Sequence, residues 1–238
     1  MHLLLIRHGE TEHNVIAERL GKALAERRGL RFSHIFASTL QRAWITADSV
    51  QKHQLRLCQD DGNDHVVPQV AQSGLLLEQD FGSFELVRWT ETVKRNFSLP
   101  DPDPPGFKPR ETAEAMKRRA DKFIEDFLIP LVVTEGEDTT EAATDKVVVA
   151  VVSHGLFLQQ LWKNFVVALT TAAEATAVES KDSKAAATPA NPFLHCDLRV
   201  LAINRSDHLS GLKRDGVGSS PYDFKQQSIK AFFAKRRD

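Results

Sequence analysis

The segment His2-Leu3-Leu4-Leu5-Ile6-Arg7-His8-Gly9 passes from four consecutive apolar residues to a charged, glycine-containing turn. A short apolar run without polar alternation reads as a strand covered on both faces, and the turn after it as a loop feeding a helix. That helix is expected to begin near Asn14 and to run from about Val15 to Arg28. The same pattern recurs downstream. Ser33 to Ala37 reads as a second short strand, and Thr39 to about His53 spaces Leu40, Ala43, Ala47 and Val50 as one helical face does. Lys146 to Val152 contains five valines in a nearly unbroken apolar run, followed by Ser153-His154-Gly155 and a further helix. Buried strands alternating with helices predict an α/β fold, a three-layer α/β/α sandwich around a mostly parallel central sheet. Ligands bind such sheets at the carboxyl ends of the strands, where both His8 and His154 stand.

Between these histidines, Glu111 to Phe127 is expected to be a helix whose Ala113, Met116, Ala120, Phe123 and Phe127 face the core. Pro100 to Pro109 holds five prolines in ten residues and reads as a stiff extended loop. Thr170 to Ala190, rich in Ala, Thr and Ser with little to bury, reads as a low-complexity surface insertion. A last strand is expected over about Leu194 to Ile203, and a polar tail from Ser210 onward. The division is therefore a globular domain over 1–210 and a polar tail over 211–238.

The 238 residues suffice for one large α/β domain, and 42% hydrophobic with 26% charged residues is the balance of a soluble globular chain. A formal net charge of −1 gives no general field for nucleic acid or an anionic membrane, so affinity for an anion must be local. Cys58 and Cys196 are too few for a disulfide framework and lack the paired spacing of a zinc site, which favours a reducing, intracellular compartment. The apolar run Leu3 to Ile6 is too short for a signal-peptide core, and no stretch of roughly 18 apolar residues is present to span a bilayer.

Arg7-His8-Gly9-Glu10-Thr11-Glu12-His13-Asn14 is the strongest local signal. A strand-end loop entering a helix can aim backbone N–H groups at an anion, and Gly9 permits close approach. Arg7 offers a planar fork that matches phosphate oxygens. His8 beside cationic groups has its imidazolium form disfavoured, which leaves a ring nitrogen able to attack phosphorus. Taken alone, Arg7 and His8 are equally a polar strand end.

The stretch resembles the R-H-G-x-T-x-x-N signature of the histidine phosphatase superfamily, the phosphoglycerate-mutase-like enzymes. Three more segments follow in the family's order. Ser38-Thr39-Leu40-Gln41-Arg42-Ala43 with Thr46-Ala47 is similar to S-x-L-x-R-A-x-x-T-A, which implies Arg42 as a second phosphate clamp. Leu77-Glu78-Gln79-Asp80-Phe81-Gly82 with Glu85 resembles L-x-E-x-x-F-G-x-x-E, which implies Glu78 as general acid and base. Ser153-His154-Gly155 resembles the segment of the family's second histidine. Glu111-Thr112 with Arg119 is similar to a pair in the family's middle helix, for which a structural role is expected.

The resemblance implies a phosphomonoester hydrolase working through a phosphohistidine on His8. The catalytic set would be Arg7, His8, Arg42, Glu78 and His154, with Arg7, Asn14, Arg42, His154 and Gly155 binding phosphate or substrate, and no metal or cofactor. The substrate would be a phosphorylated small molecule or a phosphoprotein. Relatives carry a glycine- and aspartate-bearing loop after the position of Asn14 that is shortened here, position 86 is leucine, and His195-Cys196 stands where some relatives have an Asn-Cys pair. No long segment follows Glu78 as in glycolytic mutases, which favours hydrolysis over phosphotransfer. A chain that keeps the fold as a catalytically weak docking platform is the rival reading.

At the tail, Gln226-Gln227-Ser228-Ile229-Lys230-Ala231-Phe232-Phe233 fits Q-x-x-[I/L/M]-x-x-[F/Y]-[F/Y], with Lys235, Arg236 and Arg237 behind it. It resembles the box that docks on the eukaryotic sliding clamp, PCNA. One tight turn would present Ile229, Phe232 and Phe233 as anchors while Gln226 makes a polar contact, and the protein would then work in the nucleus as well as the cytoplasm. The same spacing also suits a terminal helix packed back on the domain, and both readings stand.

Overall fold

The computed structural model describes residues 1–9, 15–61, 66–85, 105–132, 147–179, 199–201 and 207–209, of which 61 and 170–179 by backbone alone. The chain divides into two units, one of 1–80 with 111–208 and the other of 81–110 with 209–238.

In the first unit the apolar runs form one sheet. Its strands are β1 (His2–Arg7), β2 (His34–Ser38), β3 (Val70–Ser73) and β4 (Val148–Ser153), in the order β1-β4-β2-β3 with every neighbouring pair parallel. β4 lies inside and all six of its residues are buried. Side chains alternate across a strand, so both faces of β4 need apolar cover. Val149 and Val151 enter one cluster with Phe36, Phe123, Phe157 and Leu161. Val148, Ala150 and Val152 enter the other with Ile6, Ile35, Ala43, Ala47 and Val50. The two clusters are the two cores of a three-layer sandwich.

Helices α1 (Val15–Lys22) and α2 (Gln41–Asp61) cover the second cluster, and α3 (Ala113–Phe123) and α4 (Gly155–Glu179) cover the first. α1 and α3 each run on into a wider, π-type turn, Ala23–Arg27 and Ile124–Leu128. Gly21 explains how α1 and α2 lie so close: a Cβ there would stand 2.6 Å from Cδ2 of His53 and 2.8 Å from the carbonyl oxygen of Ser49. α3 starts two residues later than the apolar spacing suggests because Thr112 caps it, its Oγ1 accepting from the Ala115 N–H at 3.1 Å.

Register positions the site. Arg7 lies level with Ser153, Ala37 with Val152, and Ser38 with Ser73. The carboxyl ends of all four strands thus finish on one line, with His8 and His154 one residue past it.

One strand stands where the sequence reading places no element, and two expectations are corrected. β3 gives no sequence signal, since Val70-Ala71-Gln72-Ser73 is a four-residue strand without buried positions at one end of the described sheet. The segment expected as a surface insertion from Thr170 begins as helix, because α4 continues through Glu179. Alanine-rich composition was read there as little to bury, whereas alanine is also the best helix former. Arg199–Leu201 carry no strand, and the rest of the expected last strand lies outside the described residues. Also outside them are Asn14, the stretch 180–190 and the whole tail with Gln226, Ile229, Phe232 and Phe233. No helix of the described residues is long and apolar enough to cross a membrane.

In the second unit, Pro105–Arg110 is irregular, as its prolines suggest. The Ser83 N–H donates to the Lys108 carbonyl at 2.8 Å, the Lys108 N–H donates to Ser83 Oγ at 2.8 Å, and Phe84 meets Phe107 edge to face. Gly82 makes this pairing possible. Its φ is +56°, and a Cβ would overlap the carbonyl oxygens of Lys108 and Pro109. Gly82→Ala is therefore expected to loosen 81–110 by at least the roughly 1–2 kcal/mol of left-handed strain. Hydrogen exchange is the check: amide protection at Ser83 and Lys108 should fall, and unchanged protection would refute the assignment.

Candidate active site

His8 is held by the strand it leaves. Its N–H donates to the Ser153 carbonyl at 2.9 Å, continuing the β1–β4 ladder by one bond. The Gly9 N–H donates to Thr46 Oγ1 at 3.1 Å, and that hydroxyl donates to the Arg42 carbonyl at 2.9 Å. Both amides are therefore spent on protein acceptors. The expectation that the loop directly after β1 aims its N–H groups at an anion does not hold at His8 and Gly9, so among the described residues here an anion would be held by side chains.

Arg42, in the first turn of α2, brings the two histidines together. Its Nε lies 3.1 Å from His8 Nε2 and 3.2 Å from His154 Nδ1, and the two rings are 4.8 Å apart between centroids. A guanidinium can only donate, so both facing ring nitrogens present lone pairs. The protons then sit on the far nitrogens. His8 Nδ1–H donates to the Gly9 carbonyl at 2.7 Å, and His154 Nε2–H donates to Ser38 Oγ at 2.9 Å. Each ring is fixed in one tautomer and one orientation, with His8 Nε2 on the side shared with Arg42.

Electrostatics agree. Burial is the largest cause lowering His8 to about 4; the bond to Gly9 opposes the shift and the charges of Arg42 and Arg7 add to it. His154, fully buried, is lowered to about 3 by burial first and then by Arg42, His8, Arg119 and Arg7. Both rings are neutral at pH 7. An imidazole titration followed by NMR should place His8 near pH 4 instead of 6.5. Because the unfolded chain takes up that proton first, stability is full above about 6.5 and declines as pH falls toward 4. An ordinary His8 titration in phosphate-free buffer would contradict the site as described.

Glu78 reaches the start of α4, next along the chain from His154 and Gly155, from the segment after β3. Its Oε1 accepts from the N–H groups of Phe157 at 3.1 Å and Gln79 at 3.0 Å, and its Oε2 from Leu156 at 3.3 Å. The carboxyl group thus sits on the first turn of α4, directly after His154 and Gly155, where the positive end of the helix dipole favours it. Arg7 is exposed, and its Nε lies 3.9 Å from where a Cβ on Gly155 would stand. An alanine would fit at 155, so the glycine there is not required by crowding.

Four other side chains organise the site. Ser38 orients His154, and Thr46 ties the loop after His8 to α2. Ser153 Oγ donates to the Leu76 carbonyl at 2.7 Å, and Arg119 binds the carbonyls around Glu78. Ser38 and Thr46 flank Arg42 at four residues on either side, a spacing visible in the sequence, but nothing local tells which ring or amide they serve.

Comparisons with known proteins bear on this arrangement. A protein from Schizosaccharomyces pombe (strain 972 / ATCC 24843) named "Probable phosphatase" is 28% identical over 98% of this chain and 79% of its own. A mycobacterial glucosyl-3-phosphoglycerate phosphatase solved with inorganic phosphate shares 19% identity over 71% of this chain and 78% of that one, with a TM-score of 0.47. A phosphoserine phosphatase from Entamoeba histolytica, solved as a mutant with phosphoserine, shares 20% over 71% and 79%, with a TM-score of 0.38. The family model described as "Histidine phosphatase superfamily (branch 1)" matches residues 3–179, which takes in both histidines, Arg42 and Glu78. With three quarters of its length under that model, the chain belongs to the histidine phosphatase superfamily.

Proposed function

We propose that the chain is a phosphatase that hydrolyses a phosphomonoester, on a small molecule or a phosphoprotein, through a phosphohistidine formed at Nε2 of His8. The observation that carries this reading is the one guanidinium shared by the lone pairs of two neutral imidazoles. Among the described residues both side-chain hydrogen bonds of Arg42 run through Nε, which leaves its Nη donors for an anion. A phosphoryl group entering there would take over Arg42's donors and release His8 Nε2 for attack.

In the first displacement His8 Nε2 bonds to phosphorus while the ester oxygen leaves in line. Arg7 and Arg42 hold the equatorial oxygens. His154 changes role on binding: a dianion beside Nδ1 favours the imidazolium, which donates to a phosphoryl oxygen. The dianion beside Glu78 opposes the carboxylate form that the N–H groups of α4 hold in the free site, and the protonated form gives its proton to the departing oxygen, which otherwise leaves as an alkoxide. In the second displacement water attacks phosphorus, the P–N bond breaks, and ionised Glu78 takes the proton from water. His8 regains its lone pair and phosphate departs.

Support comes from the geometry, from family membership and from a relative named as a phosphatase. The test is rapid quenching during turnover of a ³²P-labelled aryl phosphate. Label bound to protein, stable in base and lost in acid, is expected. Turnover with no such label at any quench time would replace the covalent route by direct attack of water.

A further inference from the structure

The Glu78 carboxyl group is received by the first turn of α4, but the backbone that carries it has a support of its own, Arg119 with Glu111. Arg119 lies on α3 and is largely buried, at 16% exposure, as is Glu111 at 15%. A guanidinium has five N–H donors. Here five acceptors meet them. Nε and Nη2 grip the Glu111 carboxylate at 3.0 and 2.7 Å, Nη1 donates to the carbonyls of Leu75 and Leu77 at 2.8 and 2.6 Å, and Nη2 reaches the Glu78 carbonyl at 3.4 Å.

The carbonyls involved explain the need. Gly74–Leu76 is a single 3₁₀ turn, and the carbonyls at the end of a helical turn have no partner within it. Arg119 supplies that partner for Leu75 and also binds the Leu77 carbonyl, so it fixes the 75–76 and 77–78 peptide planes. The Leu76 carbonyl between them accepts from Ser153 Oγ, and the second plane leads into Glu78. Glu111 continues the grip beyond it: its carbonyl accepts from Gln79 Nε2 at 2.8 Å, its N–H donates to the Asp80 carbonyl at 2.6 Å, and its Oε2 accepts from the Asp80 N–H at 3.4 Å. The guanidinium also lies over the Phe157 ring at 4.6 Å, and the N–H of that phenylalanine is one of the three that hold the Glu78 carboxyl group. Arg119 therefore contacts both the backbone that carries Glu78 and the residue that receives its side chain.

We infer that Arg119 and Glu111 are positioning residues for proton transfer, fixing where the Glu78 carboxyl group meets the leaving oxygen. Arg119 reaches the phosphate-holding side chains only through its charge at His154. The inference rests on the phosphatase reading above. It makes a prediction that a general loss of structure does not. A poor leaving group, such as the alkoxide of an alkyl phosphate, needs the proton, whereas 4-nitrophenolate departs with little help.

The experiment measures kcat/KM of the full-length chain and of Arg119→Met and Glu111→Gln on an alkyl phosphate and on 4-nitrophenyl phosphate, with inorganic phosphate binding by calorimetry as the control. Misplacing a catalytic group by about 1 Å costs on the order of 10²-fold, so Arg119→Met should lose about 10- to 100-fold on the alkyl ester. The loss on the nitrophenyl ester should be severalfold smaller, and any change in phosphate affinity, which Arg119 reaches only through its charge at His154, should be smaller than the loss on the alkyl ester. Arg119→Lys should rescue little, because one ammonium cannot meet five acceptors. Should Arg119→Met fold poorly, the milder Glu111→Gln carries the comparison and should show the same leaving-group bias. Equal losses on both esters, or full recovery with lysine, would overturn the inference while leaving the phosphatase reading intact. A wild-type chain that turns over neither ester would instead overturn that reading, and this inference with it.

Discussion

His8→Ala is expected to reduce turnover of an aryl phosphate by about 10⁴-fold or more, the scale on which removal of a catalytic nucleophile acts. Among the described residues His154 is the other imidazole facing Arg42, and it is poorly placed to take over. His154 Nδ1 faces the same guanidinium, but the ring is fully buried behind Ser38 and tied to it through Nε2. The alanine should fold, because the backbone bonds that anchor position 8, from its N–H to Ser153 and from Gly9 to Thr46, do not use the imidazole. Phosphate should still bind, since both guanidinium groups remain. The decisive measurement is a paired assay of wild type and variant at equal concentration, with phosphate affinity determined alongside. Equal, negligible turnover in the two would favour a chain that keeps the fold as a docking platform. Equal and substantial turnover would place the nucleophile elsewhere.

The layers of this fold were legible because two regularities coincide. Each buried strand is an unbroken apolar run, and each run ends in a polar turn before a helix; Leu3–Ile6 with Arg7-His8-Gly9 and Val147–Val152 with Ser153-His154-Gly155 show both. β3 escaped because its four residues are not buried, so burial imposed no pattern on them. The far part of α4 escaped because alanine serves helices and low-complexity segments alike.

The site divides in the same way. Arg7, His8, Arg42, Glu78 and His154 are side chains whose chemistry is declared by residue type and motif. What holds them is not. Ser38, Thr46, Ser153 and Arg119 act through bonds to residues between 37 and 116 positions away, and no local spacing announces such partners. The tautomers of His8 and His154 follow from Arg42 lying between them, which only the register of β1, β2 and β4 brings about.

That central position of Arg42 gives the second large effect. Arg42→Gln is expected to lower kcat/KM by on the order of 10²- to 10³-fold, the loss seen when one preorganised donor to a developing anion is removed. It should also move the titration of both histidines upward. Burial, the largest cause of their lowered values, stays, while the charge of Arg42 is lost, so each shifts only part of the way toward the ordinary 6.5. Arg42→Lys separates charge from shape. A lysine keeps the positive charge, so the imidazoles should remain neutral well below pH 6, yet its ammonium is a point charge that cannot face two rings and also present a planar pair of donors. Turnover should therefore stay low in Arg42→Lys while the histidine titrations return toward wild type. Arg42→Gln turning over within about threefold of wild type, far short of the loss of one such donor, would show that the guanidinium does not hold the transferred phosphoryl group. Restored turnover in Arg42→Lys would show that charge alone, and not the forked geometry between the two rings, is what the site requires.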